Sequence, residues 1–206
     1  MRIDFAVLTI AVLLSGTSLA QGLVEGSAEA GRAKAITCSA CHGADGNSVN
    51  PQWPSIAGQH PKYIVRQLQA FKNGTRTEPL MLGQATMLSD EDMRNLAVYF
   101  SQKTTATKVI ADASTLEHGQ RLYRGGSREN RAPACIACHG PNGRGNPAAS
   151  FPSLKGQYAV YIAKQLRDYA SGARRSDGTT RIMRDIASRL SEEDIVAVSS
   201  YVQGLQ

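Results

Sequence analysis

Two five-residue segments hold all four cysteines of the chain, and a histidine ends each segment. They read C-S-A-C-H at residues 38–42 and C-I-A-C-H at residues 135–139. Two thiols three positions apart on one helical turn can each form a thioether with a vinyl group of a porphyrin, and the adjacent imidazole then lies where a ring nitrogen can reach the iron. The motif predicts covalent attachment of two c-type haems, through Cys38, Cys41 and His42 and through Cys135, Cys138 and His139.

A zinc site and a redox dithiol are the alternatives for paired cysteines. Two C-x-x-C pairs that share a zinc ion usually lie about 15–20 residues apart, whereas these pairs begin 97 residues apart. A thioredoxin-like dithiol belongs to a βαβ pattern, and neither motif is flanked by strand-like sequence. Both alternatives stay open on residue types alone, but the histidine after each second cysteine favours haem.

The first twenty residues have the features of an export signal. Arg2 precedes an apolar run over residues 5–14, and small and polar residues follow it up to Ala20. This order is typical of a secretory signal peptide, cleaved before Gln21, and the run is shorter than the roughly 20 apolar residues of a membrane span. We therefore expect residues 1–20 to be a signal peptide and the mature protein to be periplasmic.

The remainder of the chain contains an internal repeat. In each half C-H-G-x-x-G is followed by an aromatic residue with P-S, then by G-Q, by Y-I-x-x-Q-L and by L-S-[DE]-E-D, always in this order. A collinear repeat of this kind predicts a duplicated domain. We predict domain 1 over residues 21–104, a linker over 105–113 and domain 2 over 114–206.

Each copy is predicted to be all-α, since no stretch alternates as a strand would. A first helix is expected to run into the haem motif from about Ala28 or Leu116, and a middle helix to span residues 61–72 or 158–171. A closing helix begins with a capping box at Ser89 or Ser191. Because a domain of this size has a thin core, we expect the three helices to wrap around one haem and to fold together with it.

The second axial ligand of each iron is predicted from the methionines. The mature second copy contains only Met183, seven residues before L-S-E-E-D, and Met81 lies seven residues before L-S-D-E-D in the first copy. Met87 and Met93 match an arginine and an isoleucine in the second copy. We therefore predict Met81 and Met183 as ligands; a thioether ligand raises the iron's reduction potential and suits electron transfer. Gap-filling in the core is the alternative for any single methionine.

Two further histidines, His60 and His118, could compete with methionine as ligands. Neither recurs at the matching position of the other copy. We expect both to be exposed residues near helix ends.

With these motifs in place, the whole mature chain resembles the cytochrome c4 family. The resemblance rests on both C-x-x-C-H motifs, the two P-S-x-x-G-Q segments, Ile182-Met183-Arg184 and residues 200–205. It implies two tandem class I cytochrome c-like domains, each around one covalent haem c. In related small cytochromes a proline at the position of Pro54 or Pro152 offers its carbonyl to the ligating histidine, so we expect that role for both.

The resemblance implies a periplasmic electron carrier, not an enzyme. Such proteins pass electrons from a quinol–cytochrome c reductase to a haem-copper terminal oxidase or another respiratory acceptor. The alternatives are the dihaem subunit of a flavocytochrome-type dehydrogenase and, less favoured, a dihaem enzyme such as a thiosulfate dehydrogenase. Catalysis at haem needs an open position or an unusual ligand such as cysteine, and this chain has no fifth cysteine.

The charge of the chain bears on its partners. It has 23 Lys and Arg against 17 Asp and Glu, a net charge of +6. A basic surface is attracted to acidic patches of other proteins and to anionic membrane surfaces. We expect redox proteins as partners, namely membrane cytochrome complexes and a terminal oxidase; peripheral membrane association is compatible with this charge, and nucleic acid is excluded for an exported haem protein.

Overall fold

The computed structural model describes residues 24–205, and the predicted signal peptide lies outside this range. The described residues form five α-helices in each half of the chain. In the first half these are α1 (Ala28–Lys34), α2 (Ile36–His42), α3 (Pro61–Lys72), α4 (Pro79–Thr86) and α5 (Asp90–Ser101). In the second half they are α6 (Leu116–Gly125), α7 (Ile136–His139), α8 (Ala159–Ala170), α9 (Ile182–Ala187) and α10 (Glu192–Gln203). Between residues 24 and 205 the only β-pairing consists of isolated bridges, so the all-α prediction is confirmed.

The starts of the middle and closing helices follow local signals. Pro61 occupies the first turn of α3, where the missing proline N–H costs no hydrogen bond. The hydroxyls of Ser89 and Ser191 accept from the backbone N–H three residues on, and the aspartate at that position returns the bond in both helices. Both predicted capping boxes are therefore present.

The helices that carry the haem motifs are shorter than predicted. Ala35 separates α1 from α2, and in the second half α6 ends at Gly125. Gly126 has a φ of +71°, and a Cβ there would lie 2.3 Å from the Ala132 carbonyl oxygen. The prediction of one continuous helix from Leu116 into the second motif is therefore wrong: a loop closed by a bridge between Ser127 and Ala132 comes before α7.

Two short helices, α4 and α9, occupy segments for which the sequence predicts no element. Met81 lies on α4 and Met183 on α9. In each half this helix packs against the middle helix, α4 against α3 and α9 against α8. The repeat therefore extends to the helices that carry the predicted methionine ligands.

Each half has its own small apolar core. Met93, Leu96 and Phe100 of α5 contribute to the first core, and Val198, Tyr201 and Val202 of α10 contribute to the second. The first helix of each half crosses the closing helix, α1 against α5 and α6 against α10. Each haem motif packs against the core of its own half, through Cys38 in the first half and through Cys135 and Ile136 in the second.

Many hydrogen bonds join the two halves. The guanidinium of Arg66 donates to the Ser150 carbonyl at 3.0 Å, and the hydroxyl of Tyr158 donates to the Ser48 carbonyl at 2.7 Å. The segment predicted as linker also contacts both halves, since Thr105 donates to the Ala57 carbonyl at 2.8 Å and Lys108 to the Gly156 carbonyl at 2.6 Å. Among residues 24–205, no helix combines the length and apolar character needed to cross a membrane.

Candidate haem sites

All four cysteines are free thiols and partly exposed. Burial raises the pKa of the Cys38 thiol, and it raises the pKa of Cys135 to about 11. No group of three or more His, Cys, Asp or Glu side chains comes together as a metal-ion site anywhere in residues 24–205. The described residues therefore do not bring the two cysteine pairs together as one zinc site.

His42 is the last residue of α2 and is buried. Its Nδ1 lies 2.8 Å from the Pro54 carbonyl oxygen. A carbonyl can only accept, so Nδ1 carries the hydrogen and Nε2 is the nitrogen with a free lone pair. Burial lowers the pKa of His42, which favours the neutral imidazole that can bind iron.

His139 repeats this arrangement at the end of α7. Its Nδ1 lies 3.0 Å from the Pro152 carbonyl oxygen, and burial lowers its pKa. The loop that brings each proline to its histidine is closed in the same way: the Ile56 amide donates to Gly46 at 2.7 Å, and the Leu154 amide donates to Gly143 at 2.6 Å. In each half a proline carbonyl therefore lies within hydrogen-bond distance of the histidine Nδ1.

The four methionines of the described residues differ in burial. Met81 and Met183 are half-buried. Met93 is 0% exposed within the first core, and Met87 is 69% exposed. A core residue and a surface residue explain the last two, so Met81 and Met183 remain as the matched pair on corresponding helices.

The two remaining histidines already have hydrogen-bond partners. His60 Nε2 lies 2.7 Å from the Arg144 carbonyl oxygen in the other half, and His118 Nε2 lies 2.8 Å from the carboxylate of Asp194. Both side chains are half-buried, whereas the sequence predicts exposed residues. Neither is needed as an iron ligand.

The sequence did not predict the role of two buried arginines, each of which contacts a tyrosine hydroxyl of the other half. Arg76 contacts the Tyr161 hydroxyl at 2.5 Å, and Arg174 contacts the Tyr63 hydroxyl at 2.8 Å, each across the boundary between halves. A second short repeat, G-x-R, occurs at residues 74–76 and 172–174 and is the sequence pattern from which the two arginines could have been singled out.

The chemistry of each half fits a covalently attached haem c. Two unpaired thiols and an oriented imidazole lie on one short helix or directly before its first residue, and a methionine outside the buried core lies on a neighbouring short helix. When bound, the haem iron supplies a one-electron Fe(III)/Fe(II) couple. The residues that would hold this haem are the two cysteines of each motif, the histidine oriented by the proline carbonyl, and the methionine, whose thioether would be the second iron ligand.

Comparison with known proteins supports this assignment. The sequence profile of the cytochrome c family matches residues 28–103 and again residues 116–206. Cytochrome c4 of Azotobacter vinelandii is 47% identical over 210 residues, which cover 97% of this chain and 98% of that relative. The crystal structure of reduced recombinant cytochrome c4 from Pseudomonas stutzeri superposes with a TM-score of 0.85 at 46% identity, covering 88% of this chain and all of that one. A protein named thiosulfate dehydrogenase electron acceptor from Stutzerimonas stutzeri is 36% identical over 81% of this chain and 78% of its own length.

Proposed function

Because the chain belongs to the cytochrome c4 family of dihaem electron carriers, we propose that it shuttles electrons in the periplasm between a quinol–cytochrome c reductase and a terminal oxidase or another respiratory acceptor. It carries two covalently bound haem c groups, and its close relatives are electron-transfer cytochromes, not enzymes. The periplasmic location rests on the predicted signal peptide at residues 1–20.

We assign the haem of domain 1 to Cys38, Cys41, His42 and Met81, and that of domain 2 to Cys135, Cys138, His139 and Met183. Pro54 and Pro152 orient the two histidines. The domains themselves are proposed as residues 21–104 and 114–206 with residues 105–113 as linker.

The observation that carries this proposal is the close match between the two sites. Each half has an imidazole with its Nδ1 held at 2.8 or 3.0 Å by a proline carbonyl and a methionine on the corresponding short helix. Two strong axial ligands leave the iron no open position, and a closed site exchanges electrons without binding substrate. Two such sites in one chain let an electron enter at one haem and leave at the other.

The optical spectrum of the reduced, exported holoprotein with and without carbon monoxide tests the closed sites. We expect neither haem to bind carbon monoxide, and binding by the unmodified protein would refute the proposed ligation. The direction of transfer is tested with purified complexes. A quinol–cytochrome c reductase should reduce both haems, and a terminal oxidase should then reoxidise them, each at a rate at least as fast as the turnover of that complex.

The name of one relative supports a second candidate for the electron donor. The 36% identical protein is named as an electron acceptor of thiosulfate dehydrogenase, so an oxidising dehydrogenase of the periplasm is the alternative source of electrons. Reduction by thiosulfate dehydrogenase and thiosulfate, with no reduction by the quinol–cytochrome c reductase, would replace the first donor by the second.

A further inference from the structure

The loop that holds each proximal histidine is itself held by a glutamine from the other half. Gln157 Oε1 accepts from the Ser55 amide at 3.0 Å, and its Nε2 donates to the Ser55 carbonyl at 2.8 Å. Gln59 Oε1 accepts from the Ser153 amide at 2.9 Å, and its Nε2 donates to the Ser153 carbonyl at 2.9 Å. Both glutamines are 8% exposed. We call these two reciprocal arrangements the glutamine clamps.

Each clamp acts on the same peptide group as a histidine. The Pro54 carbonyl and the Ser55 amide belong to one peptide, so this peptide accepts from His42 Nδ1 at its oxygen and donates to Gln157 at its nitrogen. The peptide that follows Pro152 is placed in the same way between His139 and Gln59. A continuous hydrogen-bonded chain therefore runs from each imidazole to a side chain of the opposite half.

The peptide group transmits polarity between its two ends. Its C–N bond has partial double-bond character, so a hydrogen bond donated by the N–H shifts electron density toward the carbonyl oxygen and makes that oxygen a stronger acceptor. A stronger acceptor at Nδ1 makes the imidazole a more basic ligand. Hydrogen bonding of this kind is one of the means by which a protein sets the potential of a haem.

We propose that Gln157 is a positioning residue for the haem of domain 1 and Gln59 for the haem of domain 2. Each half of the protein thereby sets the strength of the proximal hydrogen bond, and with it the reduction potential, in the other half. The two haems share an interface that couples their ligands. This inference rests on the proposed ligation by His42 and His139.

The experiment follows the Nδ1–H groups of the two ligating histidines in the reduced holoprotein, labelled with nitrogen-15 in histidine. Solvent exchange of each Nδ1–H is measured by NMR, and the two reduction potentials by optical titration. Gln157→Met keeps the approximate length and removes both hydrogen bonds. We expect it to accelerate exchange at His42 about tenfold, as loss of hydrogen bonds of ordinary strength predicts, and to raise the potential of the domain 1 haem. His139, in the mutated half itself, should not change.

The reciprocal variant Gln59→Met should affect His139 and the domain 2 haem alone. Gln157→Glu retains an oxygen that can accept from Ser55, in either protonation state, and should keep His42 protected. Should Gln157→Met fail to fold, Gln157→Asn tests the same loss, because its amide is one methylene too short to reach Ser55.

His60→Ala is the matched control for general loosening of the interface. It removes a hydrogen bond between the halves, to the Arg144 carbonyl, without touching the peptide between Pro54 and Ser55. It should leave exchange at His42 unchanged. The inference is wrong if Gln157→Met leaves His42 unchanged, if it acts on His139 instead, or if His60→Ala reproduces its effect at His42.

Failure of the ligation itself is seen separately. The ring protons of a haem-bound histidine are strongly shifted by the porphyrin, and the unmodified protein shows these shifts or lacks them before any variant is made. If the ring-proton signals are shifted but a glutamine variant has no effect on the histidine of the opposite half, the proposed role of the glutamine clamps is wrong and the ligation stands. If the signals are not shifted, the assignment of His42 and His139 as iron ligands is wrong.

Discussion

Arg76 and Arg174 face each other in an antiparallel bridge where the two halves of the chain meet. Each guanidinium reaches an amide of the opposite half: Arg76 donates to Gln165 at 2.8 Å and Arg174 donates to Gln67 at 2.7 Å. The two arginines are 8% and 3% exposed, and the ion pairs found among residues 24–205 include neither. Uncharged amide and hydroxyl oxygens of the protein surround these buried charges.

Arg174→Lys is expected to lower the free energy of unfolding by about 2–3 kcal/mol, because hydrogen bonds to charged groups are worth more than neutral ones and an ammonium cannot reproduce the guanidinium fork. The arginine makes four side-chain hydrogen bonds, to Ser176, Gln165, Tyr63 and Gln67. Guanidinium chloride unfolding of the holoprotein, followed by circular dichroism, measures the loss. Arg175→Lys, at the exposed neighbour, should stay within about 0.5 kcal/mol of the parent; equal stability of the two variants would contradict this prediction.

Gly31 and Gly119 let the first helix of each half cross the closing helix at close range. A Cβ on Gly31 would lie 2.1 Å from the Asn95 carbonyl oxygen, and one on Gly119 would lie 2.2 Å from the Ala197 carbonyl oxygen. Neither carbonyl oxygen can move away from the added Cβ unless the closing helix that carries it also moves. We expect Gly31→Ala and Gly119→Ala each to lower the free energy of unfolding by about 1–3 kcal/mol or more, measured by thermal and denaturant unfolding.

Gly125→Ala is the control for this pair, since Gly125 ends the helix that contains Gly119 and a Cβ added to it would meet nothing within 4 Å. Alanine has the higher helix propensity, by up to about 1 kcal/mol, so this variant should be neutral or slightly stabilising. Gly119→Ala at parental stability would show that α6 and α10 can separate freely.

The helix starts were predictable because their signals are local. Ser89 and Ser191 each lie three residues before an aspartate, as in a capping box, and a proline such as Pro61 favours the first turn of a helix. Both capping boxes and the start of α3 lie where these residues place them. The end of α6 was missed because the repeat suggested two identical first helices, although Gly125-Gly126 occurs only in the second copy.

The contacts between the halves could not be predicted from periodicity. A buried glutamine such as Gln59 or an arginine such as Arg76 has no local pattern that reveals which distant carbonyl or amide it meets. Their partners lie 94 and 89 positions away. The haem motif, by contrast, is contained in five consecutive residues, and for this reason its chemistry was clear from sequence while its support across the interface was not.

Asp194 provides a pH-dependent part of the stability of domain 2. Burial acts to raise the pKa of its carboxyl, but hydrogen bonds from His118 and Ser191 outweigh burial, so the pKa lies below its ordinary value; Asn130 also donates to it at 3.2 Å. A lowered pKa means that the stabilisation is complete above the ordinary value of about 3.9 and is lost as the pH falls through the lower folded value.

Asp194→Asn should therefore cost about 1 kcal/mol near neutral pH, because an amide does not fully replace the hydrogen bonds accepted by a carboxylate, and progressively less below about pH 4. Urea unfolding of the parent and the variant, from neutral pH to below about pH 4, measures the difference between their free energies of unfolding. Effects of acid on the haem ligands are common to both proteins and cancel in this difference. Glu193→Gln, at an exposed carboxylate in the same turn, should show no comparable change. A difference that grows on acidification would have the wrong sign for a carboxyl with a lowered pKa.

Met81 and Met183 can be separated from Met93 by what their loss changes. Removing an axial thioether opens one iron, so Met81→Ala and Met183→Ala should each let one of the two haems bind carbon monoxide when reduced, and should lower the potential of that haem, since methionine ligation raises it. Met93 is 0% exposed in the core of the first half. Its replacement by alanine should instead cost about 2–5 kcal/mol of stability through a cavity and leave both haems closed. Carbon monoxide difference spectra, titrated potentials and denaturant unfolding of the three holoproteins distinguish these outcomes. Carbon monoxide binding by Met93→Ala, with none by Met81→Ala, would transfer the ligand role in domain 1 from Met81 to Met93.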